Sequence, residues 1–415
     1  MISFFLPDSD DLVDPTFNYS LDQYSPNRNT TERFDVYLHQ IFNEPQCDGI
    51  LVTKSNISNP LIERITDDGG IHNYLRLNEQ YPIMGDCGTF QYIGEEKPPY
   101  SCEEIFNYYN DLGFDYGLSL DHVIVDFSLD YDEDRTLIPR QASDDMKSRF
   151  QITLDNAGRM KELEQERAAS FKLIGCAQGW SPGSYHHAVG QLIEMGYDYI
   201  AIGGVAKSPN EVIWPILDCI RETVVSAGVK LHLLGAARLE LLEAYCQTNV
   251  VSCDSSSSLM KAFKSKTDNY QTPAKNYTAV RIPPVRGGIS PKVRKLLKSS
   301  QCPETLEPKL YALEQAALEA IRQYASRQIS LEEAMGPLIT YEDQFGDDQK
   351  YYPLFEQTLK DRPWENCPCK ICQELGVEVI ILRGNNRNRR RGFHNTFVFY
   401  QQFKDKLSAL KKKPA

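Results

Sequence analysis

Several things are scarce in this chain of 415 residues, and each scarcity removes a class of protein. No apolar run approaches the roughly 20 residues that a membrane-spanning helix needs. The start, MISFFLPDSDD, lacks the basic, apolar and small-residue order of a secretory signal, so no membrane partner and a cytoplasmic location are expected. Positive charge is in deficit, with a formal net charge of −12. That argues against indiscriminate coating of nucleic acid, which clustered Lys and Arg drive, and makes any such contact local. Neither the P-loop nor the G-x-G-x-x-G phosphate cradle is present, and no internal repeat is found. Eleven cysteines are spread thinly, in odd number, and the one dense group is Cys367, Cys369 and Cys372. The pattern points to thiols and metal rather than a disulfide scaffold.

What is there is a hydrophobic content of 41% with 25% charged residues, enough for one large core and an appendage. From about residue 49 to 260, short apolar runs alternate with amphipathic stretches, as in repeated strand-helix units. GILVT, IMGDCG, YGLSLDHVIV, KLIGCAQ, YIAIGG, KLHLLGA and NVVSCDS read as strands. Residues 184–195, 209–226 and Leu239 to Tyr245 read as helices, the second started by Ser208-Pro209. Periodicity alone does not separate an open doubly wound sheet from a closed barrel. The polar residues favour the barrel, because Asp86, Asp121, Gln178, Gly203 with Gly204, Gly235 and Asp254 end different strands, where barrel active sites gather. An α/β TIM barrel with a zinc-binding subdomain and a helical appendage is therefore expected. Its catalytic domain spans residues 1–290, with segment 1–48 packing on it. A helical segment at 291–350 and a zinc subdomain at 351–415, with a closing helix from about 394, complete the division.

Cys367-Pro-Cys-Lys-Ile-Cys372 places three thiols within six residues, and His394 follows 22 positions later. Three thiolates and an imidazole fill a tetrahedral Zn²⁺ shell and leave no position for water, which makes the site structural. The plainer readings are three loop thiols and a surface histidine opening a helix. Arg383, Arg387, Arg389, Arg390 and Arg391 fall within nine residues between the thiols and His394. In so acidic a chain they suggest a clamp on a phosphate backbone, weighed against a solvated charge run. Lys292, Arg294, Lys295 and Lys298 form a second basic candidate.

These features resemble the tRNA-guanine transglycosylase superfamily over about residues 49 to 403. Its zinc-site histidine segment looks like Gly-Phe-His394-Asn-Thr-Phe-Val-Phe-Tyr400. Its D-S-G-G-F/Y-Q motif looks like Asp86-Cys-Gly-Thr-Phe-Gln91, with Thr89 in place of a glycine. Ala177-Gln178-Gly179-Trp180 and Ala201-Ile-Gly-Gly-Val205 match the next two motifs, and Leu234-Gly235-Ala236 through Asp254 the last. The L-P-T-R type segment that follows the nucleophile in bacterial tRNA enzymes is replaced by Ser255 to Ser258, and room for archaeal RNA-binding domains is not expected. Phe4-Leu-Pro-Asp-Ser-Asp-Asp-Leu-Val-Asp-Pro15 and Gly179-Trp-Ser-Pro-Gly183 look like the DpdA branch, which is linked to 7-deazaguanine in DNA.

The resemblance implies base exchange, with guanine in DNA replaced by a free 7-deazaguanine, 7-cyano-7-deazaguanine (preQ0) by likeness. Asp254 would trap the oxocarbenium-like sugar as a covalent intermediate, and Asp86 would be the general acid and base. Asp121, Gln178 and Gly204, beside Gly203, would read the guanine-like edge, with Phe90 stacking on the ring; the glycine pair also reads as a tight turn. A duplex base must be flipped out, so a DNA-remodelling helper protein is a further expectation. The alternatives are the same reaction on tRNA, a non-catalytic nucleic-acid-binding partner subunit, and a hydrolase that removes a base without replacing it.

Overall fold

In α/β folds a parallel strand is buried on both faces and reads as an unbroken apolar run rather than an alternation. Such runs here are Ile50, Leu51 and Val52, and Tyr199 to Ile202, all buried. The computed structural model describes residues 2–8, 10–128, 142–346 and 349–412. Eight parallel strands close into a barrel in sequence order: β1 (Ser3–Pro7), β2 (Gly49–Thr53), β3 (Ile83–Asp86), β4 (Tyr116–Leu118), β5 (Lys172–Ala177), β6 (Tyr199–Ile202), β7 (Lys230–Leu233) and β8 (Val250–Asp254). The connecting helices have clear start and stop chemistry. Helix Pro182–Glu194 opens with Ser181, whose hydroxyl accepts from the Ser184 N–H, and with proline in its first turn. Helix Asn210–Ala227 stops at Gly228, whose φ of 66° is left-handed.

Seven strands coincide with the apolar runs read from the sequence. The eighth, β1, lies inside the segment expected only to pack on the barrel. Five residues ending in proline give little periodicity, yet Pro7 is tolerated as the last residue of the strand because Asp8 N–H resumes the ladder on Leu51 O at 2.8 Å. Phe5 stands opposite both Gly49 of β2 and Asp254 of β8. The strand is held from outside as well: Phe4 N–H donates to Asp48 Oδ2 at 2.9 Å, and the Phe4 and Phe403 rings lie 5.9 Å apart. Lys404 pairs with Asp48 at 3.2 Å.

The chain forms two compact units. The barrel unit is Met1–Asp10, Cys47–Ser256 and Phe403–Ala415; the second unit is Asp11–Gln46 and Ser257–Gln402. These limits differ from the sequence boundaries at 290 and 350. Inside the second unit, Val280–Arg281 pairs in parallel with Ile381–Leu382, which ties the stretch after the barrel to the cysteine region. The closing helix runs over Asn385–Lys412, nine residues earlier than the start expected at 394. Among the described residues no helix is long and apolar enough to cross a membrane.

Candidate active site and metal centre

Each barrel strand delivers its last residue to one rim, and a cavity of about 270 Å³ opens there. Asp86, Phe90, Asp121, Gln178, Gly203, Gly204 and Asp254 all line it. The structure thus gathers every base-site and catalytic candidate read from the sequence. The described lining residues include no Lys, Arg or His. Three carboxyl groups without a cation in the wall suit a ligand that brings N–H donors or develops positive charge, and they disfavour an anion.

The three carboxyl groups are held differently. Asp86 ends β3, with the Thr53 hydroxyl donating to its Oδ2 at 3.2 Å. Burial pushes it up to about 6, against the Gly88 N–H and aided by the negative charge of Asp254. Asp121, 2% exposed, is pushed up to about 7 by burial and then by Asp86. Its Oδ2 accepts from Gln178 Nε2 at 2.6 Å, and Gln178 Oε1 in turn accepts from the Ile124 N–H at 3.3 Å. Asp254, 5% exposed, has one oxygen engaged: Oδ1 accepts from Gly235 N–H at 2.7 Å and lies 3.2 Å from His232 Nε2. Oδ2 has no hydrogen-bond partner among the described residues. Phe90 is 41% exposed at the mouth, with Lys207 Nζ 5.7 Å from its ring centre.

The glycine pair is more than a turn. A Cβ on Gly203 would sit 2.2 Å from Gln178 Nε2. Gly204, at φ +75°, would put one 2.8 Å from Ile124 O. Both glycines therefore let Gln178 lie flat against the end of β6. Tyr185 donates to Gly203 O at 2.7 Å and fixes the turn from behind. Thr89, which replaces a family glycine, accepts from Val123 N–H at 2.8 Å and so braces the loop that carries Asp121.

In the second unit, the Sγ atoms of Cys367, Cys369 and Cys372 and a ring nitrogen of His394 lie within 4.8 Å of one another, a group that can hold a metal ion. His394 Nδ1 is 3.5, 3.4 and 3.3 Å from the three sulfurs. A tetrahedral centre with bonds of about 2.3 Å to sulfur and 2.0 Å to nitrogen needs separations of about 3.5 Å, so the donors fit. His394 Nε2 lies 2.8 Å from Gln271 O; an Nε2–H donating there leaves the Nδ1 lone pair facing the thiols. Tyr270 stacks on the imidazole at 4.1 Å.

Over 420 aligned residues the chain is 33% identical to a protein of Salmonella montevideo named DNA-guanine transglycosylase, and the match covers 98% of each chain. The chain belongs to the DNA-guanine transglycosylase family. No protein-family model matches it. Membership makes it a glycosyltransferase-type enzyme of the transglycosylase superfamily and its DNA-acting branch.

In this member of the DNA-guanine transglycosylase family, the reading of Arg383, Arg387, Arg390 and Arg391 as part of a backbone clamp with Arg389 is corrected by their burial. Arg387, Arg389, Arg390 and Arg391 lie on the closing helix and Arg383 just before it, and Arg383, Arg387, Arg390 and Arg391 are at most 4% exposed. Arg383 pairs with Asp22 at 2.5 Å and with Glu314 at 2.6 Å. Arg387 pairs with Asp22 and, at 2.7 Å, with Glu378. Arg390 donates to Asp14 O, and Arg389 to Leu12 O. Arg391 donates to the carbonyls of Ala262, Val379 and Ile381. The four buried guanidiniums are committed to carboxylates and carbonyls and are closed off from phosphate, so they staple the second unit together, whereas the Arg389 side chain is 29% exposed. In the second basic candidate, Arg294, Lys295 and Lys298 are exposed on helix Pro291–Ser299, while Lys292 is half-buried against Phe345.

Sequence reading missed His232 and Ser252, which lie beneath Asp254 inside the barrel. The signal was available: a histidine and a serine interrupt strands that are otherwise apolar, and Ser252 stands two residues before Asp254, hence on the same face.

Proposed function

We propose that this enzyme exchanges guanine in DNA for a free 7-deazaguanine, with 7-cyano-7-deazaguanine as the incoming base. The observation that carries the reading is the grouping of Asp86, Asp121 and Asp254 around one small cavity whose described wall holds no cation. Asp254 Oδ2 forms a bond to the sugar C1′ while the C1′–N9 bond breaks, and its electron pair leaves with guanine. The Asp86 carboxyl supplies a proton to the departing base. The incoming deazapurine then returns a ring N–H proton to Asp86, its nitrogen bonds to C1′, and the ester electron pair goes back to Asp254. A carboxyl near 6 suits both transfers at neutral pH, since neither the acid nor the base form is scarce.

Asp121, when ionised, accepts from the ring N–H and 2-amino groups, and Gln178 with the turn at Gly203-Gly204 meets the carbonyl edge. Phe90 stacks on the ring. Cys367, Cys369, Cys372 and His394 hold a zinc ion; with four protein donors it is structural, and bound there it fixes the fold of the second unit. Exposed Arg294, Lys295 and Lys298 contact the DNA backbone in place of the buried arginines. A base within a duplex must leave the stack, so a helper that opens DNA belongs to the proposal.

Incubation with labelled guanine and plasmid DNA, single-stranded DNA or tRNA, using the native protein and Asp254→Ala, tests the reading. Label should enter DNA with the native protein alone. Entry into tRNA instead, an abasic product, or undiminished exchange by Asp254→Ala would each overturn it. Robust exchange on intact duplex by the purified protein would remove the helper.

A further inference from the structure

A line of polar groups runs down the inside of the barrel from Asp254, where apolar packing is the rule. His232 Nε2 is 3.2 Å from Asp254 Oδ1, and His232 Nδ1 is 2.5 Å from Ser252 Oγ. Ser252 Oγ in turn meets the Tyr199 hydroxyl. His232 is 0% exposed and Ser252 2%, and the Phe5 ring packs edge-on against the imidazole at 6.1 Å. Burying three polar side chains costs free energy unless their hydrogen bonds are satisfied. Here they satisfy one another, and the line ends on a carboxylate.

Local backbone geometry makes this line. Leu231 pairs with Val250 but His232 pairs with Ser252, so Val251 is an extra residue on β8. Bulges of this kind re-aim side chains beside active sites. This one brings His232 level with Ser252, two residues below Asp254.

We propose that His232 is a positioning residue that, with the Gly235 N–H, pins Asp254 Oδ1 so that Oδ2 faces the sugar carbon. The inference rests on the reading of Asp254 as the attacking group. The donor order follows from the termini. Asp254 Oδ1 can only accept when ionised, so His232 carries its hydrogen on Nε2 and Nδ1 accepts from Ser252. Ser252 then accepts from Tyr199, whose phenol is kept protonated because burial pushes it well above its ordinary value. Every donor points towards Asp254. After attack through Oδ2, Oδ1 becomes the ester carbonyl oxygen, and the same two donors stabilise the negative charge that returns to the Asp254 carboxylate when the ester breaks.

The test uses the full-length protein with His232→Leu, His232→Gln, Ser252→Ala and Asp254→Asn, measuring exchange of labelled guanine into single-stranded DNA and thermal melting. His232→Leu should lower kcat by roughly 10- to 100-fold while KM for the base changes by less than about threefold. His232→Gln, which returns an N–H near Oδ1, should recover most of that loss, and Ser252→Ala should cost roughly 3- to 10-fold. In selectively labelled protein, the His232 nitrogen resonances should report the Nε2–H tautomer. A folded His232→Leu with native kcat, beside an inactive Asp254→Asn, overturns this inference alone. Equal loss in the Leu and Gln variants that tracks melting temperature overturns it too, because it shows only packing. If His232→Leu does not fold, an unchanged kcat in Ser252→Ala overturns it. Native exchange by Asp254→Asn overturns the parent reading of the nucleophile.

Discussion

Replacing Asp121 with asparagine should stabilise the barrel unit in mildly alkaline solution and leave it unchanged in acid. In the folded chain, burial and then the Asp86 carboxyl push Asp121 from 3.8 up to about 7. Below 3.8 the folded and unfolded chains both carry the proton, and the group contributes nothing to the pH dependence. As the pH rises from 3.8 towards 7 the unfolded chain ionises first, so stability falls by about 1.4 kcal/mol per pH unit. Above 7 the loss is complete and amounts to about 4 kcal/mol. An amide is neutral throughout and still offers an oxygen to Gln178 Nε2, now 2.6 Å from Oδ2. Because Asp86 responds to the same substitution, the net gain should be about 2 to 4 kcal/mol at pH 8. Native-state hydrogen exchange of the β-strand amides between pH 4 and 8 reads the barrel unit directly. A decline with pH that is as steep in Asp121→Asn as in the native protein would refute the assignment of the buried charge.

Free-base affinity, measured by calorimetry, should fall about tenfold per pH unit below 7, since the Asp121 proton competes with the N–H donors of the base. Cys372→Ser should drop metal content below one ion per chain and lower the melting of the second unit, and a chelator should reproduce the shift in the native protein; structural zinc is worth about 10 to 16 kcal/mol in small domains. The triple change of Arg294, Lys295 and Lys298 to alanine should reduce the slope of log affinity against log salt by up to about 2.7 in a DNA-binding titration, while melting stays native. Arg391→Ala leaves the carbonyls of Ala262, Val379 and Ile381 without their donor and should cost at least about 3 kcal/mol by urea denaturation.

The barrel was legible because parallel strands buried on both faces write themselves as apolar runs, and because polar residues stop those runs where the rim begins. Asp86, Asp121, Gln178 and Asp254 could be placed by where the apolar runs stop, Asp86 and Asp254 as the last residues of their strands and Asp121 and Gln178 just beyond theirs. β1 escaped because a strand of five residues that ends in proline carries too little period, and because its partners, Gly49 and Asp254, are far away in sequence. The arginine cluster misled because charge density reads the same whether the partner is phosphate or a buried carboxylate. Asp22, Glu314 and Glu378, which neutralise two of those arginines, are 361, 69 and 9 residues from them, and only tertiary structure brings them together. His232 and Ser252 were visible as polar breaks but had no meaning until a bulge set them in one line.

The pairing of β1 with both β2 and β8 has a consequence for how the enzyme comes into being. Synthesis must pass residue 254 before the first strand can gain its second neighbour. Until then the sheet is an open arc with two unsatisfied edges. The strand that seals the arc is also the one that carries Asp254, so the proposed nucleophile reaches its place at the rim only with the final closure.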